Sequence, residues 1–312
     1  MDATGTTLSR NKQHKKKINF WPYIFLSPFV ILYLTFSLFP LLFSFYISLT
    51  NWDGIGERTF IGLRNYYNIF LNDQLFRQSI MNTVLIMIQS IPFAIFFGLV
   101  IAVILFNLSK SRQFFQTVNF LPYITTPVAI GLIFAFLFDW TSGSVNTILV
   151  NLGIIESEIN WLGQPHHARF VVSLMIVWRL TGYHIAVYLA GLSALPYELY
   201  EAAKVDGSSA INTFFKITWP LLRPITMFLV LTAIIGGLQL FDEPNLLFSG
   251  VGGIVGGPGR SALTVVWYFY DISFRTTTRM GYGAAVAYSL FIIIILATLV
   301  GRKFFKGRND ND

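Results

Sequence analysis

Ionisable and hydrogen-bonding side chains stand out in this sequence because so much of it is apolar. Arg179, Tyr183 and His184 fall within one long apolar run, and Gln239, Asp242 and Glu243 lie along another. A charge at membrane depth is expensive, so such groups face a bundle interior, pair with one another or mark a transport path. Hydrogen bonds from groups of this kind, combined with aromatic faces, can recognise a sugar, which apolar walls alone could not. Arg179 with Asp242 reads equally well as a buried ion pair holding helices together. Glu243, next to Pro244, fits a structural role at a helix break.

Covalent and metal chemistry find little support. His166 and His167 are adjacent in a polar loop and His184 lies in a span; there is no cysteine and no Glu-x-x-His spacing to assemble a metal site. The glycine-rich GVGGIVGGPGRS is not a phosphate loop: the residue five before Gly259 is Ile254, and Arg260 stands where Lys is required. With no Walker A sequence in the chain, any ATP-driven step belongs to another polypeptide. An enzyme is not expected, and neither metal nor cofactor is assigned to this chain.

The elements that hold these groups follow from composition. Of 312 residues 54% are hydrophobic and 12% charged, which is too apolar for a soluble protein of this length. Apolar runs near Phe20–Leu49, Ser79–Leu108, Phe115–Trp140, Phe170–Leu192, Ile225–Phe248 and Gly281–Val300 are each long enough to cross about 30 Å of hydrocarbon. Six spans put both termini on one side. That side also carries Arg10, Lys12, Lys15, Lys16, Lys17, Lys110, Arg112, Lys204, Lys216, Arg223, Arg302, Lys303, Lys306 and Arg308, twice as many basic residues as the opposite loops. Positive charge marks the cytoplasmic side, so both termini are expected there. The net charge of +7 reports topology rather than a nucleic-acid partner. Pro92, Pro122, Pro127, Gly236, Gly237 and Pro244 interrupt the runs; each alone reads as kinked packing, and together they permit a lined path.

Leu195–Pro224 is the one long polar interruption with helical character. Glu198, Glu201, Lys204, Asp206, Lys216 and Arg223 keep it out of lipid, while Leu199, Ala202, Ala203, Ala210, Phe214 and Ile217 recur at near-helical spacing. Two short amphipathic helices are expected. Asp206-Gly207 ends the first, Ser208 caps the second and Pro220 stops it.

Glu201-Ala202-Ala203, three residues, Gly207, nine residues, Ile217, one residue and a dipeptide ending in Pro220 resemble the EAA loop of bacterial ABC-importer permeases, with Trp219 where that family usually has Leu. The resemblance covers nearly the whole chain. Asn51-Trp52, Ile61-Gly62-Leu63, Asn65-Tyr66, Asn82-Thr83, Gly143, Asn146, Asn160-Trp161-Leu162, Trp178, Gly191-Leu192, Phe241-Asp242-Glu243-Pro244, Gly256-Gly257-Pro258, Tyr270, Phe274 and Gly281-Tyr282 are similar to the carbohydrate (MalF/UgpA-type) permeases. The stretch Phe248–Gly257 is longer than the family's usual loop.

The resemblance implies an all-α, polytopic membrane protein with six transmembrane helices and the type I ABC importer permease fold. Its parts would be a basic tail (1–18), a first span (19–50), a permease domain (75–303) holding the coupling loop (195–224), and a short tail (304–312). The implied function is a subunit of an ATP-driven, binding-protein-dependent importer for a sugar or oligosaccharide in the bacterial cytoplasmic membrane. The implied partners are a homologous second permease, two ATPase subunits binding ATP and magnesium, an extracellular or periplasmic sugar-binding protein, the carbohydrate and membrane lipid. Glu201, Ala202, Ala203, Asp206, Gly207, Ile217 and Pro220 would couple to the ATPase. Arg179, Tyr183, Gln239 and Asp242 would meet the sugar. Glycerol phosphate is the alternative cargo, with Arg179 as its cation. An ion-coupled transporter using Asp242, Glu243 and Arg179, and a membrane scaffold without a path, are the other readings.

Overall fold

The computed structural model describes residues 20–108, 111–249 and 253–306, the side chains of 249 and 304–306 excepted. The basic tail, Lys110, part of the Phe248–Gly257 loop and the tail beyond 306 lie outside the described residues. The chain divides into two compact units at Tyr46/Ile47. Helix α1, Trp21–Ser48, spans the first unit and ends just inside the second. It contains a π-turn at Leu34–Leu38, closed by the Phe39 N–H bonding Leu34 O, immediately before Pro40. A proline cannot donate to the carbonyl four residues back, and the wider turn absorbs the mismatch.

The second unit is helical apart from the two-residue strands β1 (Thr50–Asn51) and β2 (Thr59–Phe60), paired antiparallel with Thr50 opposite Phe60. Its helices are α2 (Arg64–Leu71), α3 (Gln74–Phe106), α4 (Arg112–Ile124), α5 (Pro127–Leu137), α6 (Ser144–Asn151), α7 (Pro165–Ser193), α8 (Tyr197–Val205), α9 (Ala210–Leu238), α10 (Asp242–Ser249), α11 (Val265–Tyr270) and α12 (Met280–Lys306). Among the described residues, five helices are long and apolar enough to cross a membrane: α1, α3, α7, α9 and α12. A sixth crossing is made if α4 and α5 count as one.

That sixth span corrects the sequence reading. Phe115–Trp140 is not one rod: α4 and α5 meet at 96°. Thr126 precedes Pro127 and is pushed into the extended region (ψ 137°), which stops α4 and lets Pro127 open α5. The fifth run is corrected as well. Pro220 does not stop a helix, because α9 runs unbroken from Ala210 through a π-turn at Phe214–Thr218 to Leu238. The Trp219 N–H bonds Phe214 O, the same device seen ahead of Pro40. The break falls instead at Gln239–Phe241, before α10.

The helix α7 organises the bundle, packing on α3, α4, α9 and α10. Small residues set its close approaches. A Cβ on Gly182 would sit 2.0 Å from Asn119 O on α4, and one on Gly98 of α3 would sit 2.4 Å from the Cβ of His184. Two apolar cores result. One gathers Ile69, Phe76, Ile86, Met175, Phe248 and Trp267 near the Gln74 end of α3. The other gathers Leu99, Leu105, Tyr188, Leu192, Leu222 and Leu229 near its Phe106 end. The hydroxyls of Thr83, Ser90, Thr181 and Ser289 inside the spans donate to carbonyls one turn back, so these donors are not left unpaired in lipid.

Candidate functional site

The coupling-loop residues form a capped helical hook. Pro196 precedes α8, Glu198 lies in its first turn and Lys204 in its last, each of the sign the helix dipole favours. At the exit the Gly207 N–H bonds Lys204 O (3.2 Å) and the Ser208 N–H bonds Ala203 O (2.9 Å). Gly207 adopts φ +70°, and a Cβ there would meet no atom within 4 Å. Its requirement is therefore backbone conformation, not space. The cap on the next helix is Ser209, whose Oγ accepts from Asn212 N–H, whereas Ser208 receives hydrogen bonds from Asn212 Nδ2 and Thr213 Oγ1. The shift by one residue arises because Ser208 is still engaged in closing α8.

Within the hook Ala203 is buried, whereas Glu201, Ala202, Asp206 and Gly207 are exposed and Ile217 and Pro220 are half-buried. Tyr200 Oη lies 3.2 Å from Thr218 Oγ1, fastening α8 to α9. A cavity of about 320 Å³ opens beneath, with Glu201 and Lys204 beside Tyr197, Phe106 and Phe214. Chemically this is a small helix seated on one alanine, presenting carboxylates outward from a fixed corner.

The polar groups in the spans are brought together only in part. Arg179 and Tyr183 stand one turn apart on α7, and the Tyr183 ring stacks on Tyr123 of α4 with centroids 5.1 Å apart. Arg179 Nη1 donates to Glu243 Oε1, forming an ion pair between α7 and α10. The expected Arg179–Asp242 pairing is therefore replaced. Asp242 opens α10 with an exposed side chain, while Glu243 is buried against α7. Consecutive residues of a helix point about 100° apart, so only one of the two carboxylates can face Arg179. Gln239 caps α9 and is exposed in the break.

Asp73 and Tyr268, which the sequence reading passed over, hold the opposite end together with Tyr282. Asp73 caps α3, its Oδ1 accepting from Phe76 N–H (2.9 Å), while its Oδ2 accepts from Tyr268 Oη (2.5 Å) and Tyr282 Oη (2.6 Å). Burial and the Asp73 carboxylate push the Tyr268 phenol above its ordinary value of 10.0. The signal was an Asp immediately ahead of an apolar helix.

Residues 71–306 match the family model described as binding-protein-dependent transport system inner membrane component. The chain belongs to this family. Its relatives include the lactose transport system permease protein LacF of Rhizobium radiobacter, 35% identical over 97% of this chain and 99% of that protein. The arabinooligosaccharides transport system permease protein AraP of Bacillus subtilis is 35% identical over 92% of this chain and 90% of that protein. Among solved structures, a chain of a bacterial ABC transporter involved in the import of the acidic polysaccharide alginate superposes with a TM-score of 0.79 at 20% identity, over 92% of this chain and 95% of that one. The fold is thus that of the type I importer permeases, and as a family member the chain is a multi-pass inner-membrane transport component rather than an enzyme.

Proposed function

We propose that this chain is a permease subunit of an ATP-driven importer that carries a sugar or oligosaccharide across the bacterial cytoplasmic membrane. The observation that carries the reading is the hook: α8 is held by Ala203, Tyr200 and the Gly207 turn, with Glu201 facing outward. Such a corner suits docking into a cleft of an ATPase subunit, two copies of which would bind ATP and magnesium. Glu201 would supply the charged contact, Ala202 the close approach and Gly207 the turn. Both termini and the hook would be cytoplasmic, and a homologous second permease and an external sugar-binding protein would complete the assembly.

Carbohydrate cargo is supported by the names of the relatives and by Tyr183 and Tyr123, whose rings offer stacking faces beside Arg179. Glycerol phosphate fits less well, since Glu243 already occupies the cation it would need. The test compares wild type with Glu201→Ala and Gly207→Asp for ATPase co-purification and sugar uptake in cells. Weakened coupling and lost uptake with normal membrane insertion are expected. Uptake that survives ATP depletion and collapses with the ion gradient would overturn the proposal.

A further inference from the structure

Arg179 sits near the middle of the 29-residue helix α7, and its side chain retains 20% exposure against 11% for Glu243. A guanidinium at that depth cannot turn its exposed part toward hydrocarbon, so that part faces a polar space or protein. The neighbouring break at Gln239–Phe241 points the same way. Irregular backbone within a span is tolerated only where protein covers it or it lines a cavity, and Gln239 and Asp242 are exposed there. The pair is not explained by stability alone. Replacing a buried ion pair by apolar residues of similar volume is often neutral or stabilising.

We propose that Glu243 sets the charge selectivity of the translocation path by neutralising Arg179, so that the pair gives anionic saccharides no advantage over uncharged ones. This rests on the saccharide-permease reading above. An unpaired Arg179 would offer a carboxylate or phosphate a strong charge-assisted contact. With Glu243 in place that contact is already made, and the exposed Asp242 adds a negative charge that repels an anion further. Tyr183, one turn along, remains for stacking against a neutral ring.

The experiment uses the complete transporter purified in detergent, with thermal midpoints read in matched concentrations of glucose, glucuronate and glucosamine. Asp242→Asn is included throughout so that Asp242 cannot take over as counter-ion. Without further change, no preference between glucose and glucuronate is expected. Glu243→Gln should favour glucuronate by about tenfold in apparent affinity. Arg179→Gln should reverse the sign and favour glucosamine, and Arg179→Gln with Glu243→Gln should restore indifference. Absence of any charge preference in the single variants would overturn the proposal. So would failure of both single variants to assemble while the double variant folds, since the pair would then face protein and not the path. Sugar uptake by wild-type cells is scored separately, so a failed permease reading is distinguishable from a failed selectivity assignment.

Discussion

Asp73 takes three hydrogen bonds from three different helices, α3, α11 and α12, and so closes one end of the bundle with a single carboxylate. Asparagine keeps one acceptor oxygen and turns the other into a donor, which then faces either both tyrosine hydroxyls or the Phe76 N–H. Asp73→Asn is expected to cost about 1.5–3 kcal/mol, read as a lower thermal midpoint in detergent. The carboxylate also gives alkaline pH a defined effect. Because the folded-state pKa of Tyr268 is raised, its contribution is present below the ordinary value of 10.0 and lost progressively as pH rises above it. Wild type should therefore lose stability above pH about 10, and Asp73→Asn should respond less steeply. Three asparagines show how family positions become physics. The Nδ2 group of Asn65 donates to Ser48 O and Thr50 O, that of Asn82 to Arg260 O and Leu263 O, and that of Asn146 to Trp140 O and Ile159 O. Each ties a pair of carbonyls in a loop or at an element's end to a neighbouring element. Their recurrence was legible in the sequence; their purpose was not, because the carbonyls they reach lie as far as 181 residues away.

At the scale of elements, hydropathy found the apolar runs but not the 96° corner within the third or the early start and end of the fifth, because it misjudged where prolines act. The same chemistry gave two outcomes. Pro127 follows an extended residue and produces a 96° corner, whereas Pro40 and Pro220 each follow a π-turn and leave a helix continuous. Hydropathy cannot separate these cases, because the missing donor is identical and only the turn before it differs. The ends of α8 were legible, since the Asp206-Gly207 turn needs a left-handed residue at one place. The partner of Arg179 was not, because two adjacent carboxylates differ only in the rotation of α10. Pro220→Ala restores a donor and removes the reason for the π-turn, so residues before it should rotate relative to α9. ATPase co-purification is expected to persist while uptake falls by about tenfold or more, a loss of transmission without loss of docking. Unchanged uptake would show that the π-turn has no mechanical role.

For the whole molecule, orientation follows from charge on loops, and the absence of cysteine makes it directly measurable. Ile55 and Val205 are 84% and 87% exposed and sit on opposite sides of the proposed topology. Ile55→Cys should react with a membrane-impermeant maleimide in intact cells or spheroplasts, and Val205→Cys only after the membrane is opened. The reverse pattern would invert the topology.

The continuity of α9 joins what the sequence reading kept apart. One end begins beside the Ser209 cap of the hook, and the other ends at Gln239, in the break next to the Arg179–Glu243 pair. At 1.5 Å per residue its 29 residues make a rod of about 43 Å. Pivoted at one end, such a rod converts a tilt of about 5° into a displacement of nearly 4 Å at the other, comparable with the reach of a hydrogen bond. Work delivered at the hook would thus arrive as leverage at the cargo end, with no need for any intervening side chain to relay it.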